Sequence, residues 1–563
     1  MSLNGALQIG RSAIVTSQAG LQVAGNNMAN AATPGYSRQV MRLAPLHGDP
    51  IGRNQFIGRG VDLVQITRQV DTALQGRYRD ALSGENAALI NQRFLGALES
   101  IRNELTDNDV STLLSEFFNS FSEAANNPQD HAVRSLVIQR GATLAERLVQ
   151  VRTDTARLRD EIDRDLNVSV TQINGILDRL EQVNAQIVTA EGGGGGQANA
   201  LRDQRDMLVD ELAQYLDVTA IEQPNGMVDV LVGSTPIMLA GRSRGVSLRL
   251  EAVNGDLKAS LRVSADQSPL TVTGGRVGGL LTQRTGHIEP ALAALDDFAG
   301  QLIEQVNRLH SQGQGKQPFA SLTGTTRVPD ATVNLNHATV QLPFRIENGS
   351  FLIHVTHAQT GARTTHRIDV NGDAMTLNDL MAAINTTVPN VTAGLNAERR
   401  MTLDAATGYR ISFSDDSSGA LASLGINTFF SGRDATDIAV NAALENDPGL
   451  LALGSGHEDG SNGAALAIAG LQDAKVSQLG GRTLREFWQQ TLSAEAVKTA
   501  AAESKVESTR LVRQSIEAQM QAVSGVSLDE EAINLMAFQR QFQAAARFIS
   551  VIDESIQTLL AMV

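Results

Sequence analysis

His457-Glu458 begins like the H-E-x-x-H of zinc proteases, where two imidazoles one helical turn apart face a metal. Ser461 stands where the second histidine belongs, and the glycine-rich setting makes no helix. His354, His357 and His366 flank a turn at Thr360-Gly361. Read as a two-residue loop, that turn sets Phe351 against Val370 and Ile353 against Ile368, which gives one apolar face. The same register sets His354 opposite Arg367 and His366 opposite Val355, so no two imidazoles meet. Asp369, Asn371 and Asp373 match the first half of a calcium loop, but Ala374 replaces the turn glycine and Leu380 the bidentate glutamate. The run Gly192 to Gly196 and the segment Gly313-Gln314-Gly315-Lys316 lack phosphate-loop spacing and read as flexible connections. Ser, His and Asp are plentiful, yet no nucleophile elbow is identified among them. Cysteine is absent, which excludes disulfides, thiol catalysis and Cys-ligated metals. The expectation is no catalytic, cofactor-binding or metal residues: not an enzyme, and no cofactor.

The charge balance narrows the partners. With 46 Lys plus Arg against 61 Asp plus Glu, the net charge is −15. Clustered cations for phosphate neutralisation are not expected, so no nucleic acid. No stretch approaches 18 apolar residues, so no membrane insertion is expected. The first charge is Arg11 and no unbroken apolar segment follows it, so a cleaved secretory signal is not expected.

What remains is architecture. The 563 residues suggest three to five domains. Leu7, Ile14, Leu21 and Met28 recur every seven residues, with Leu3 one turn earlier. Leu528, Leu535, Phe542, Ile549, Ile556 and Val563 do the same at the other end, with Phe538, Ala545, Ile552 and Leu559 three residues after members of that series. Heptad spacing keeps an apolar seam on one helix face, as in a coiled coil. Ser527 and Glu530 read as a capping box after a break at Gly525. Helices this short are marginal alone and need a partner, either each other or a neighbouring molecule. Their charges suit pairing: residues 1–60 hold five Arg and one Asp, net +4, and 528–563 hold two Arg and five acids, net −3.

Between the ends the chain reads as nested layers. Two strands fall in 39–68, and helices in 70–105 and 110–126. Gln129–Glu191 has no proline and only two glycines, so one continuous helix there would be on the order of 90 Å long. Helix resumes at 197–214, strands fill 215–285 with hairpin signals at Pro224-Asn225-Gly226 and Asn254-Gly255, and helix returns at 286–312. Residues 325–447 are strand-like with a short helix at 378–386, and 461–475 and 482–523 are helical. The predicted fold is multidomain α+β in three parts. Residues 1–38 with 525–563 form a terminal coiled-coil domain. Residues 39–324 with 448–524 form a rod-like long-helix domain with a β subregion at about 215–285. Residues 325–447 form an inserted β-rich domain.

One segment carries more than architecture. In Asn27-Met28-Ala29-Asn30-Ala31-Ala32-Thr33-Pro34-Gly35-Tyr36-Ser37-Arg38, Asn and Thr-Pro-Gly end a helix and turn the chain into a strand. This resembles the signature shared by flagellar rod, hook and hook-associated proteins, on Asn27, Asn30, Thr33, Pro34, Gly35 and Tyr36. The stretch Ser524 to Glu554 resembles the matching end of the FlgK family of hook-associated proteins. So do Asp203-Gln204-Arg205-Asp206 and Val306-Asn307 with His310. The resemblance covers about 1–320 and 455–563. It implies a structural adaptor joining hook to filament, with another axial component, a hook or distal rod protein, as the alternative. It implies assembly as a homo-oligomeric ring through the terminal helices, which line an axial channel, with the β domains outward. The implied partners are the hook protein, hook-associated protein 3 (FlgL) and an export chaperone, FlgN, on the C-terminal helix. The implied location is extracellular, at the hook–filament junction, reached through the flagellar type III apparatus without signal cleavage. The interface residues are then Leu3, Leu7, Ile14, Leu21, Met28, Leu528, Leu535, Phe538, Phe542, Ile549, Ile552, Ile556 and Leu559.

Overall fold

The structure, a computed structural model, describes residues 3–52, 55–102, 108–192, 196–253, 256–456, 458 and 460–562. His457, Asn254-Gly255, Val563 and most of the Gly192–Gly196 run lie outside the described residues. The protein is a multidomain α+β chain that divides into two compact units, Met1–Arg93 with Ile162–Gln283 and Ala501–Val563, and Phe94–Glu161 with Arg284–Ala500.

In chain order the first elements are α1 (Leu3–Ala29), β1 (Gln39–Pro45), β2 (Asp49–Gly52), β3 (Gln55–Ile57), β4 (Val61–Arg68) and α2 (Thr72–Arg102). The chain leaves α1 through the Thr33–Gly35 turn, where Gly35 takes a φ of +77°. β1 then pairs antiparallel with β4 from Gln39↔Arg68 to Pro45↔Val61, with a bulge between Arg42 and Leu43. α3 (Val110–Asn126) starts on Asp109, whose side chain accepts from the Thr112 N–H. Its buried Val110, Leu113, Leu114, Phe117, Phe118 and Phe121 follow the 3.6-residue period of a helix that packs one face. α4 (His131–Glu191) is continuous for 61 residues, about 90 Å at 1.5 Å per residue.

α5 (Asn199–Ala213) leads into β5 (Val218–Glu222), β6 (Val228–Val232), β7 (Thr235–Leu239) and β8 (Arg242–Ser243), an antiparallel sheet in chain order. Gly226, at φ +83°, makes the β5–β6 turn. β9 (Val246–Val253) and β10 (Asp256–Val263) pair with β11 (Pro269–Leu270) at the edge. α6 (Gly275–Gln283) passes through a π-helical turn, Arg284–Ile288, into α7 (Glu289–His310).

The β-rich region holds β12 (Ser321–Arg327), β13 (Gly349–His357), β14 (Arg363–Val370), α8 (Leu377–Thr387), β15 (Val391–Leu395), β16 (Arg400–Ala405) and β17 (Tyr409–Ser414). Two three-stranded sheets, β12-β16-β15 and β14-β13-β17, share a core with Phe351, Ile353, Phe413, Leu380 and Leu403. A Thr376/Asp379 capping box starts α8. The β13–β14 register differs by two residues from the expected one: Phe351 faces Ile368, Ile353 faces His366 and His354 faces Thr365. The cause is the turn. It uses four residues, with Gly361 at φ +70° and its N–H on the His357 carbonyl, rather than two. A shift of two keeps the apolar face inward, and again no two histidines oppose each other.

α9 (Ala420–Ser423), β18 (Phe430–Ser431), β19 (Ala439–Val440), α10 (Ala442–Asn446) and α11 (Gly463–Ala469) return the chain to α12 (Leu484–Ser524) and α13 (Leu528–Ala561).

Candidate functional site at the paired termini

α1 and α13 pack antiparallel. A Cβ on Gly10 would stand 2.6 Å from Ile549, and one on Gly20 would stand 2.6 Å from the Phe538 ring. The buried residues of α1 are Gly10, Thr16, Ser17, Gly20, Val23, Ala24 and Asn27. Gly10, Ser17 and Ala24 are seven apart and follow Leu7, Ile14 and Leu21 by three, so the heptad persists with small residues at the closest contact. Leu3, Leu7, Ile14, Leu21 and Met28 are half-buried beside that seam. On α13, Ala545 and Ile552 are buried, and Leu535, Phe538, Phe542, Ile549 and Ile556 are half-buried. Leu528 and Leu559, at the two ends of the series, are exposed.

The turn signature closes this pair at one end. Asn27 is buried and saturated. Its Nδ2 donates to the Gln39 carbonyl at 2.9 Å and to Glu531 at 3.2 Å. Its Oδ1 accepts from the Gln39 N–H at 3.0 Å and the Tyr36 hydroxyl at 2.7 Å. One side chain thus joins α1, the turn, β1 and α13. Asn30 donates back to the Asn26 carbonyl and accepts from the Thr33 hydroxyl, which shapes the turn. Pro34 is exposed, and a Cβ on Gly35 would collide with the Met207 sulfur, so only glycine fits. Burial, then Asp203 and Glu531, push the Tyr36 phenol up to about 12, so it stays protonated and donates.

Arg38 completes the clasp, with Glu531 at 2.7 Å and Glu530 at 2.9 Å. This corrects the capping-box expectation. Ser527 does accept from the Glu530 N–H, but the Glu530 carboxylate is taken by Arg38. Behind the clasp lies an ion-pair network that local sequence does not announce. Ser37 donates its N–H to Asp203, Arg68 bridges Asp203 at 2.9 Å and Asp206 at 2.8 Å, and Arg79 meets Asp210 at 2.6 Å. Arg205 joins Asp206 to Glu222, and Arg202 joins Glu222 to Glu191. Burial opposes the Asp206 charge, but Arg205, Arg68 and Arg79 outweigh it and hold its carboxyl low. For Asp203 and Asp210 burial wins, and their carboxyls are pushed up. The arrangement is positional. It anchors the turn to α5 and offers no reacting atom.

The other chemically suggestive residues are likewise partnered. Asn307 receives the Phe429 and Phe430 N–H groups and donates to the Phe430 carbonyl. His310 accepts the Ala452 N–H on Nε2 at 3.0 Å, which leaves Nδ1–H to donate to the Asn427 carbonyl at 2.8 Å. Burial pushes this imidazole down to about 4. His354 bonds Thr365 and Ser414. One spacing escaped the sequence reading: Gly241-Arg242-Ser243-Arg244-Gly245 is a G-x-S-x-G. It lies on β8 and runs into β9 with no following helix, and the Ser243 Oγ accepts the Gly245 N–H, so it is no nucleophile elbow. Among the described residues no group of three or more His, Cys, Asp or Glu is placed to hold a metal, and no helix is long and apolar enough to cross a membrane.

Comparison with known proteins meets this geometry in the α5 region and in α13. Residues 95–320 match the family described as flagellar hook-associated protein FlgK helical domain, and 517–562 match the flagellar basal body rod FlgEFG protein C-terminal family. Flagellar hook-associated protein 1 of Escherichia coli K12 is 25% identical over 579 residues, covering 98% of each chain. The protein of that name in Bacillus subtilis 168 is 25% identical over 429 residues, covering 67% of this chain and 83% of its own. The structure of the flagellar hook junction protein FlgK from Burkholderia pseudomallei aligns with a TM-score of 0.51 at 16% identity, covering 80% of this chain and all of that one. With the signature turn, the clasped helices and the α5 network in place, the chain is similar to flagellar hook-associated proteins of the FlgK type over nearly its whole length.

Proposed function

We propose that this protein is the structural adaptor between flagellar hook and filament, held in the axis by its clasped terminal helices. The observation that carries this reading is Asn27 bonded to Glu531 across 504 positions of sequence. Two family signatures at opposite ends of the chain meet in one saturated polar knot. Residues 1–38 with 525–563 act as the inner coiled-coil domain, 39–324 with 448–524 as the long-helix domain and 325–447 as the outward β-rich domain. Copies form a ring that contacts the hook protein on one side and FlgL on the other. FlgN holds the C-terminal helix before export through the type III apparatus. The protein acts as a structural part rather than as an enzyme.

The seam of α1 and α13 is narrow, and neither helix buries enough to offset its ordering cost of about 1–2 kcal/mol per backbone residue. The pair therefore orders on assembly. Hydrogen exchange on soluble monomer tests this, and strong protection of both helices would contradict it. Phe542→Asp and Ile549→Asp should block incorporation and leave the centre of the chain folded.

The decisive experiment is electron microscopy of a deletion strain, with flagellin assayed in the medium. Hooks without filaments plus unpolymerised flagellin establish the adaptor. Absence of hooks would move the protein to the rod or hook. Intact filaments would overturn the reading.

A further inference from the structure

The outward face of the β14-β13-β17 sheet is polar, and its charge is one-sided. Phe351, Ile353 and Val355 of β13 are buried in the core, so the alternate residues Leu352, His354 and Thr356 lie on the outer face. Register then fills the rows of that face. Thr356 lies between Arg363 and Arg410, His354 between Thr365 and Ser412, and Leu352 between Arg367 and Ser414. Arg367 pairs with Asp369 at 2.8 Å. Among the described residues no carboxylate pairs with Arg363 or Arg410, and Arg410 donates to the Tyr409 carbonyl at 3.1 Å. The sequence explains this: no Asp or Glu falls between His354 and Asp369, or between Asp404 and Asp415. In a chain at net −15, two arginines are thus left one strand apart on either side of a hydroxyl, with backbones about 10 Å from each other.

His354 fixes the hydrogen-bonding sense of the middle row. The Asp415 carboxylate only accepts, so the Ser414 hydroxyl donates to it at 2.9 Å. Ser414 then accepts from the His354 Nε2–H at 2.9 Å, which leaves Nδ1 to accept from the Thr365 hydroxyl at 2.8 Å. Burial, then Arg363, pull this imidazole down, which keeps it neutral as a ring with one donor and one acceptor must be. The exposed Thr365 oxygen has turned its proton inward and is left as an acceptor. The face therefore offers oxyanion donors in one row and a hydroxyl acceptor in the next.

We propose that this face binds a sulfated polysaccharide, with one sulfate ester between Arg363 and Arg410 beside Thr356, and a sugar hydroxyl donating to Thr365. Guanidinium forks match the oxygens of such an ester, and two of them converge on one group. The net charge of −15 opposes a densely charged polymer, so the esters are sparse. No large apolar side chain is exposed on these three strands, which leaves nothing for a lipid bilayer to take up. The aromatic residues of the strands, Phe351, Tyr409 and Phe413, fall in the inward alternation, so no ring on the outer face stacks a base. The inference is independent of the adaptor role.

The test is calorimetric titration of the purified full chain, at low salt, with a κ-carrageenan tetrasaccharide, a glycan with a single sulfate ester per disaccharide. The expected result is saturable binding. Arg363→Gln and Arg410→Gln should each weaken it about tenfold, and Arg367→Gln by no more than about twofold, since Asp369 already holds that side chain. Thermal midpoints of the three variants should match the wild type. Thr365→Ala should weaken the tetrasaccharide and leave the weaker binding of inorganic sulfate unchanged. No binding by the wild-type chain, equal binding of the desulfated tetrasaccharide, or full binding by both Arg363→Gln and Arg410→Gln would overturn the proposal. Inorganic sulfate binding as tightly as the tetrasaccharide would overturn it in favour of a bare oxyanion site. A single-stranded oligonucleotide binding more tightly would overturn it in favour of a phosphate-backbone surface.

Discussion

The second unit and the terminal pair bury their apolar residues in opposite ways. In the second unit, Phe117 meets Phe118, Phe121, Phe429 and Phe430 with ring centroids 5.3–5.5 Å apart. All five rings are fully enclosed, in one core with Phe298 and Trp488. The terminal pair has no such centre. Its closest contacts pair glycines with Phe538 and Ile549, and several large apolar side chains of α13 face outward. Large rings from distant segments make a core that is complete on its own. Small residues along a seam bring two backbones close and leave the outer faces for something else. The difference separates a part built to be stable from a part built to be joined.

The largest expected effect tests the first half of that contrast. Phe117→Ala should cost about 3–5 kcal/mol and lower the urea midpoint of the whole second unit. A midpoint that stays put would mean the cluster is less closely packed than its ring distances indicate.

Acid should find the same core. His310 is pushed down to about 4 in the folded chain from an ordinary 6.5. Between those values the unfolded chain binds more protons, so stability is full above about pH 6.5 and falls as pH drops toward 4, by roughly 3 kcal/mol. Thermal midpoints from pH 7 to 4.5 should show the decline, and His310→Asn should flatten it. An unchanged slope in the variant would assign the acid sensitivity elsewhere.

Gly20→Leu sharpens the comparison from the other side. The new side chain would overlap the Phe538 ring and cost about 1–3 kcal/mol. In assembled hook complexes, amide exchange should quicken in α1 and α13 and leave the second unit unchanged. Loss of protection in both would show that the two regions are not independent.

The smallest effect belongs to Ser527→Ala. Losing this cap should cost about 1 kcal/mol and loosen only the first turn of α13. It is read in assembled complexes by exchange at Glu530, whose N–H the serine accepts.

The long helices were legible because their signals are local. The absence of proline over 131–191 needs no knowledge of the fold. The heptads at both ends were legible too, but hydrophobic spacing marks Leu7, Ile14 and Leu21, and glycine carries no such signal. The closest approach therefore fell on Gly10 and Gly20 unannounced. Register depended on turn geometry: Thr360-Gly361 reads as a two-residue loop, while the backbone takes four. The clasp was illegible for a deeper reason. Arg38, Arg68, Arg79 and Asp206 each look like solvated charges until the fold brings segments from five parts of the chain together. Glu530 shows the same limit, since its local partner Ser527 loses the carboxylate to an arginine nearly 500 residues earlier.

That separation has a consequence in time. α1 is synthesised long before α13 exists. At about 5–20 residues per second, 504 positions correspond to roughly 25–100 s of waiting. A strongly apolar, helix-forming segment left alone for so long would find the wrong partner. The glycines and hydroxyls along the α1 seam lower its helix propensity and its apolar surface during that interval. The composition that makes the finished contact close also keeps the unfinished one quiet.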